Sequence, residues 1–206
     1  VKAVALDKTG TITSGEFKVQ NVETVGSHVS NAQLLSMASA IEAVSTHPIA
    51  TSIVSEAKAQ GIVVEASDFV QELAGEGMVG TVDGQQVLVG NRRLMERYAV
   101  QGYPTETTEY GTEVLVAEGN VYLGRIIIAD EARPDSAEAI ANLNGQDIKT
   151  VMLTGDAEAS ANYIAKETGV SAVRAQLLPQ DKLSVVQDIR SEYGPTMFVG
   201  DGINDA

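Results

Sequence analysis

Three short polar runs hold the residues that could do chemistry: Asp7-Lys8-Thr9-Gly10-Thr11, Thr154-Gly155-Asp156, and Gly200-Asp201-Gly202-Ile203-Asn204-Asp205. The carboxylate of Asp7 can attack a phosphorus atom and form an acyl phosphate. A second carboxylate, Asp201, can help hold Mg2+, which favours one or two carboxylates together with phosphate oxygens and water. Thr154 and the backbone N–H of Gly155 can grip the oxygens of a transferred group. Lys182 follows Pro179-Gln180-Asp181 at the start of a helical pattern and can bring a positive charge to the same place. Phosphoryl transfer needs positioning and charge neutralisation above all, and these are the parts it uses.

Each of these runs needs an element to hold it. Residues 1–7 are apolar and β-branched and end in Asp7, which reads as a buried parallel strand with the acid at its C-terminal end. Beyond Ala129 the sequence alternates. A helix is expected over 134–143, a strand over 149–153, a helix over 157–168 stopped by Gly169, a strand over 172–175, a helix over 179–191 and a strand over 196–199. That alternation predicts a doubly wound parallel sheet, whose ligands sit at the C-terminal strand ends. Asp7, Thr154-Gly155-Asp156 and Asp201-Gly202 all fall at such ends.

The middle of the chain has another texture. Apolar residues at helical spacing over 32–44, and again over 49–60 after Pro48, predict two helices, the second closed by Gly61. Short strands follow over 69–74, 79–82 and 86–89, the last two joined by the hairpin dipeptide Asp83-Gly84. Asn91 caps a short helix, and a hairpin through Gly119-Asn120 joins strands over 113–117 and 121–128. This predicts an antiparallel α+β insert. The expected fold is therefore α/β. A Rossmann-like domain from about residues 1–20 and 126–206 carries an inserted α+β domain over about 21–125.

Composition bounds the function. With 206 residues, 44% hydrophobic and 20% charged, the chain can bury a real core. A formal net charge of −14 argues against nucleic acid as a partner. There is no cysteine, hence no disulfide and no thiolate metal site. No apolar stretch approaches the ~20 residues needed to cross a bilayer. The chain starts inside a strand pattern and stops after a glycine-rich motif, so a fragment of something larger is expected.

The three polar runs resemble the signature motifs of P-type ATPases, cation pumps of the haloacid dehalogenase-like superfamily. The resemblance covers the whole chain, with the motifs in order. It implies that Asp7 is phosphorylated by ATP. The Thr9 backbone carbonyl and the carboxylates of Asp7 and Asp201 would hold Mg2+, and Thr154 and Lys182 would bind the phosphoryl group. Lys8, Gly155, Gly202, Asn204 and Asp205 would shape the site, and Asp156 would contact nucleotide or the hinge. Phosphatases of the superfamily carry an acid two residues after the nucleophile, where this chain has Thr9. Without that base the aspartyl phosphate should be long-lived, which suits a pump and argues against a stand-alone phosphatase.

The insert resembles the nucleotide domain of the heavy-metal branch. Glu42, Ser45-Thr46-His47-Pro48, the glycine pair Gly75 and Gly77, and Gly90-Asn91 match its nucleotide-contacting positions in order. Glu42, His47, Gly75, Gly77, Gly90 and Asn91 are thus the expected ATP-binding residues. Thr46 and Ala157 depart from the usual pattern without touching phosphoryl transfer. The texture around 80–95 and 177–182 is closer to zinc, cadmium and lead pumps than to copper pumps. The resemblance also implies partners. These are transmembrane and actuator domains of the same polypeptide, a metal cation bound elsewhere, and a cytoplasmic placement for this part of a membrane protein. ATP should reach Asp7 when a hinge closes, and without the actuator the fragment should turn ATP over poorly.

Plainer readings stand beside these. His28 is expected to be exposed. Gly75 and Gly77 could form only a turn, Asn91 only an N-cap, and Lys8 could be solvated. Glu131, Arg133 and Asp135 read as capping and hinge polarity. A nucleotide-binding module without chemistry is a third possibility, opposed by the complete Asp7 site.

Overall fold

A computed structural model describes residues 1–26, 29–108 and 110–201. His28, Gly202, Asn204 and Asp205, all singled out above, lie outside the described residues. The chain divides into two compact units, one from Val1–Glu16 and Asp130–Ala206, the other from Phe17–Ala129.

The first unit is built on four parallel strands. They are β1 (Ala3–Asp7), β8 (Lys149–Leu153), β9 (Ala172–Arg174) and β10 (Thr196–Val199), ordered β10-β1-β8-β9. Alternate side chains go to opposite faces. Val4, Leu6 and Met152 pack with Ile140, Ala161 and Ile164 from α4 (Ser136–Gly145) and α5 (Glu158–Thr168). Ala3, Ala5, Val151 and Leu153 pack with Ile189 of α6 (Lys182–Tyr193). Both faces are covered, so β1 can be apolar from Ala3 to Leu6, as suits a buried parallel strand. The α5 helix ends where the spacing puts it, at Gly169 in a left-handed conformation (φ 76).

The second unit holds a six-stranded sheet, ordered β2-β7-β6-β5-β4-β3. The strands are β2 (Thr13–Thr24), β3 (Val70–Leu73), β4 (Gly77–Val82), β5 (Gln85–Gly90), β6 (Thr112–Glu118) and β7 (Val121–Ala132). Pairs from β3 to β7 are antiparallel. The hairpin at Asp83-Gly84 has positive φ at both residues, 50 and 78, as its sequence demands. Helices α1 (Asn31–Glu42) and α2 (Pro48–Ala59) bury Leu34, Leu35, Ile41 and Ile53 against one face. The short helix α3 (Arg92–Arg97) lays Leu94 and Met95 on the other.

Strand β2 is a difference from the sequence reading, which placed no element there. Its side chains are mostly exposed beyond Thr13, so it lacks the apolar alternation that marks a half-buried strand. Residues 8–12 form a wide turn in which Thr9 is extended and Gly10 left-handed (φ 77). Ser30 starts α1 with a reciprocal capping box to Gln33.

Candidate functional site

Two sites emerge, one in each unit. In the first, strand register does the positioning. Asp7 pairs with Leu153 and Leu6 with Val199, so Thr154 and Gly200 leave the sheet at the level of Asp7. Asp7 is buried, and Lys182 Nζ lies 3.1 Å from its Oδ1. Thr154 is buried too, and its Oγ1 accepts a hydrogen bond from the Asp156 N–H (3.1 Å), which leaves the hydroxyl hydrogen to donate. The next loop braces this one, with Leu177 N–H donating to Thr154 O (3.1 Å) and Gln176 N–H to Asp156 O (2.9 Å).

Lys8 is not solvated. It is 4% exposed, with Nζ 2.7 Å from Asp156 Oδ2 and 3.9 Å from Asp130 Oδ2. A buried ammonium needs such partners. Asp130 escaped the sequence reading. Besides facing Lys8, it accepts from Gly15 N–H (2.9 Å) and from the Thr13 hydroxyl, so it pins the far end of the turn that follows Asp7. Its only signal is an acid directly after the apolar run 126–129. Glu131, Arg133 and Asp135 drew notice instead; the Arg133 N–H donates to Ile12 O (2.9 Å), and Asp135 begins α4.

The donors around Asp7 suit a hard cation. A β-carbon built on Gly10 would fall 2.7 Å from Asp201 Oδ2, so Asp201 lies against the turn carrying Thr9 and Gly10. Asp7, Asp201 and the Thr9 carbonyl supply oxygen only, a set that fits Mg2+. Among the described residues no group of three or more His, Cys, Asp or Glu is placed to hold a metal, and Mg2+ beside phosphate does not need one.

The second site is a pocket of about 300 Å3 lined by Glu42, His47, Gly75, Gly77, Gly90 and Asn91 together, with an apolar floor that includes Ile49, Met78, Val89 and Val114. That volume is at the lower end for a small-molecule site. His47 caps α2, its Nδ1 accepting from Ile49 N–H (3.2 Å). The accepting role assigns the ring hydrogen to Nε2 and leaves Nε2–H as a donor. Asn91 ties one rim together. Its Oδ1 caps α3 by accepting from Arg93 N–H (3.0 Å) and Leu94 N–H (3.3 Å), while its Nδ2 donates to Gly75 O (2.8 Å) and its N–H to Glu76 O (2.8 Å). Arg97 grips Glu76 through two bonds of 2.6 and 2.7 Å.

The glycines have separate reasons. Gly75 adopts φ 74 with open space around it, so it serves the turn. Gly77 and Gly90 face each other across β4 and β5. A β-carbon on Gly77 would meet Val89 O at 2.4 Å, and one on Gly90 would meet Glu76 O at 2.3 Å. Close backbone packing, rather than room for a ligand, excludes a side chain there.

Three further acids line the pocket that sequence reading passed over: Glu72, Glu76 and Glu113. Glu113 is held by Arg92 (3.0 Å) and Arg125 (2.7 Å). Glu42 is 7% exposed. Burial, with a smaller push from Glu72, raises its carboxyl to about 7.

Comparison with known proteins gives a consistent result. Residues 1–206 match the family described as haloacid dehalogenase-like hydrolase. The chain is 40% identical over its full length to the cadmium/zinc-transporting ATPase HMA2 of Oryza sativa subsp. japonica, covering 20% of that protein. It is 43% identical over its full length to the zinc-transporting ATPase of Synechocystis sp. (strain ATCC 27184 / PCC 6803 / Kazusa), covering 28%. The chain thus spans less than a third of either relative. Among solved structures, a zinc-transporting PIB-type ATPase in its E2.Pi state superposes with a TM-score of 0.87 at 34% identity, covering all of this chain and 34% of the other. Among the described residues, no helix is long and apolar enough to cross a membrane.

Proposed function

Because the chain belongs to the haloacid dehalogenase-like hydrolases, we propose that it is the nucleotide-binding and phosphorylation core of a P-type ATPase that moves a heavy-metal cation. The observation that carries this is the buried Asp7 carboxylate with Lys182 at 3.1 Å. An Asp7 oxygen attacks the γ-phosphorus of ATP, the bond to the bridging oxygen breaks, and ADP leaves. Lys182, the Thr154 hydroxyl and the Gly155 N–H hold the transferred oxygens. The turn bearing Thr9 and Gly10 stays in place because Lys8, at its start, is paired with Asp156 and Asp130. Asp7, Asp201 and the Thr9 carbonyl would hold Mg2+, which supplies charge neutralisation for the phosphate oxygens. Asn204 and Asp205 belong to the same site on the strength of the motif.

The pocket of the second unit takes ATP, with Glu42, His47, Gly75, Gly77, Gly90 and Asn91 as its walls. Zinc or cadmium is the favoured cargo, supported by the named activities of the two relatives. Cargo selection, membrane passage and phosphoenzyme hydrolysis belong to other parts of a longer polypeptide, and this part would sit on the cytoplasmic side. Thr9 in place of an acid leaves water without a base, so the aspartyl phosphate should persist.

The test is label transfer from γ-labelled ATP with Mg2+. The chain should take up label that hydroxylamine releases, as an acyl phosphate requires, and Asp7→Asn should take up none. Label that survives in Asp7→Asn, or none in the unaltered chain, would overturn the proposal.

A further inference from the structure

Asn91 and Glu113 belong to two hollows at once. One is the pocket described above. The other is a hollow of about 620 Å3 whose remaining side chains come from Arg92, Arg93, Thr107 and Thr108. The two adjoin, and they differ in charge. The first gathers four carboxylates, Glu42, Glu72, Glu76 and Glu113, against one imidazole, His47. The second sets two guanidinium groups against one carboxylate, and that carboxylate, Glu113, is also held by Arg125 (2.7 Å) from outside the hollow. A nucleotide has an uncharged base and an anionic tail. Charge alone turns the tail away from the first hollow and toward the second.

The arginines of α3 divide the work. Arg92 is committed to the protein. It donates to Pro104 O and Glu106 O (2.7 Å) and pairs with Glu113 (3.0 Å), which fixes the segment leading to Thr107 and Thr108. Arg97 is committed too, through its two bonds to Glu76. Arg93 lies four residues before Arg97, on the same face of the helix. Arg97 and, more weakly, Arg93 hold the Glu76 carboxyl below its ordinary range, so Arg93 stands close to the rim of the first pocket while lining the second. It is exposed, and among the described residues no hydrogen bond or ion pair engages its guanidinium. Neutral donors stand beside it. Gly75 O takes one of the two Asn91 Nδ2 hydrogens and leaves the other, and the Thr107 hydroxyl is not bonded within the described residues.

We propose that this second hollow takes the diphosphate of the nucleotide, the part that departs in ADP, and that Arg93 is its cationic ligand. The inference rests on the nucleotide reading of the first pocket given above. The guanidinium fork matches a pair of phosphate oxygens, and the Asn91 amide and the Thr107 hydroxyl add uncharged hydrogen bonds. The γ-phosphoryl group has to pass to Asp7. A site that grips only the two phosphates retained by ADP has nothing to release during that step, and it leaves the terminal group free. Because Arg93 is exposed, salt weakens the contact.

The experiment is calorimetric titration of the 206-residue chain, without Mg2+ so that no transfer occurs. The ligands are adenosine, AMP, ADP, ATP and pyrophosphate. The proteins are the unaltered chain, Arg93→Met, Thr107→Val, Glu76→Gln, and Arg93→Met combined with Glu76→Gln. Arg93→Met should bind ADP and ATP about five- to tenfold more weakly, less than a fully buried charged hydrogen bond would give. It should bind AMP with a smaller loss and adenosine with none, and the ADP loss should shrink in about 0.5 M salt. Thr107→Val should lose about two- to threefold on ADP alone and ATP alone, again sparing adenosine. The Arg93→Met loss should persist when Glu76 is already Gln. If it vanishes there, Arg93 only masks Glu76 and the proposal falls. Equal losses for adenosine and ADP, or no loss for ADP, would overturn it as well. Pyrophosphate, which lacks the base, should bind at least about tenfold more weakly than ADP. Pyrophosphate held as tightly as ADP, and lost in Arg93→Met, would make the hollow an independent anion site and overturn its assignment to the nucleotide. Failure of the unaltered chain to bind any of the four adenine compounds would overturn the nucleotide reading, and this inference with it.

Discussion

Lys182 Nζ meets Asp7 Oδ1 at 3.1 Å, joining residues 175 positions apart. The side chains are 16% and 7% exposed, so this pair is not a surface ornament. Lys182 opens α6, which packs on the face of the sheet that carries Ala3 and Ala5, and the contact follows from that docking. Replacing Lys182 by Met should lower label transfer to Asp7 by about 100-fold or more, since a charged donor aimed at developing negative charge is worth several kcal/mol. ATP binding should not change. Arginine should restore little, because its planar fork does not occupy the place of a compact ammonium. Phosphoenzyme yield and ATP titration on the two variants check this.

His47 has two jobs that substitution can separate. Its Nδ1 caps α2 and its ring lines the pocket. His47→Ala removes both, while His47→Asn retains a good capping residue. Both should lose about tenfold in ATP affinity. Only the alanine variant should lose about 1 kcal/mol of stability with the cap. Thermal unfolding and calorimetry on the pair read the two effects independently.

The glycines of the pocket rank by what a methyl group would strike. At Gly90 it would come within 2.3 Å of Glu76 O and 2.7 Å of Leu94 Cδ2. Gly90→Ala should cost about 1–3 kcal/mol, the usual range for forced overpacking. At Gly75 the space is open but φ is 74, so Gly75→Ala should cost only the left-handed penalty of about 1–2 kcal/mol. Denaturant midpoints would test the order, and a larger loss at Gly75 than at Gly90 would contradict it.

Much of this was legible in the sequence, for physical reasons that differ by element. Strands β1, β8 and β10 are short apolar runs ending in polar loops, a pattern only a covered parallel sheet rewards, and their register brings Asp7, Thr154 and Gly200 level. Strand β2 was not legible, because mostly exposed residues carry no alternation. Asp130 was hidden because its value lies in long-range contacts with Thr13, Gly15 and Lys8, which spacing along the chain does not encode. The six pocket residues could be named from their motifs. The reason for Gly77 and Gly90 could not, since it lies in the close approach of two strands. The acidity of the pocket was missed for a like cause, as Glu72, Glu76 and Glu113 gather there only on folding.

Glu42 also links stability to pH. Its carboxyl rises from the ordinary 4.5 to about 7 in the folded chain, chiefly through burial. Below the lower value both states are protonated and nothing is lost. Between the two, the folded chain keeps a proton that the unfolded chain has released, so stability falls as pH rises, and it stays low above the upper value. Glu42→Gln removes that fall. It should be more stable than the unaltered chain at about pH 8, by up to about 3 kcal/mol, with the difference vanishing near about pH 4. Urea melts of both proteins across that range check the sign, and a gap that grows as pH falls would contradict it.

The contact of Gly77 with Gly90 has a mechanical consequence. The turn bearing Gly75 and the start of α3 meet in close backbone contact and are tied together by the Asn91 side chain. The position of the Asn91 amide is therefore held from both sides, by Gly75 O and by the N–H groups of Arg93 and Leu94. Glu72, which also lines the pocket, is by contrast an exposed side chain with rotamers to spare. A molecule entering the pocket meets one rigid jaw and one compliant jaw. Fit is judged against the first, and only the second can yield.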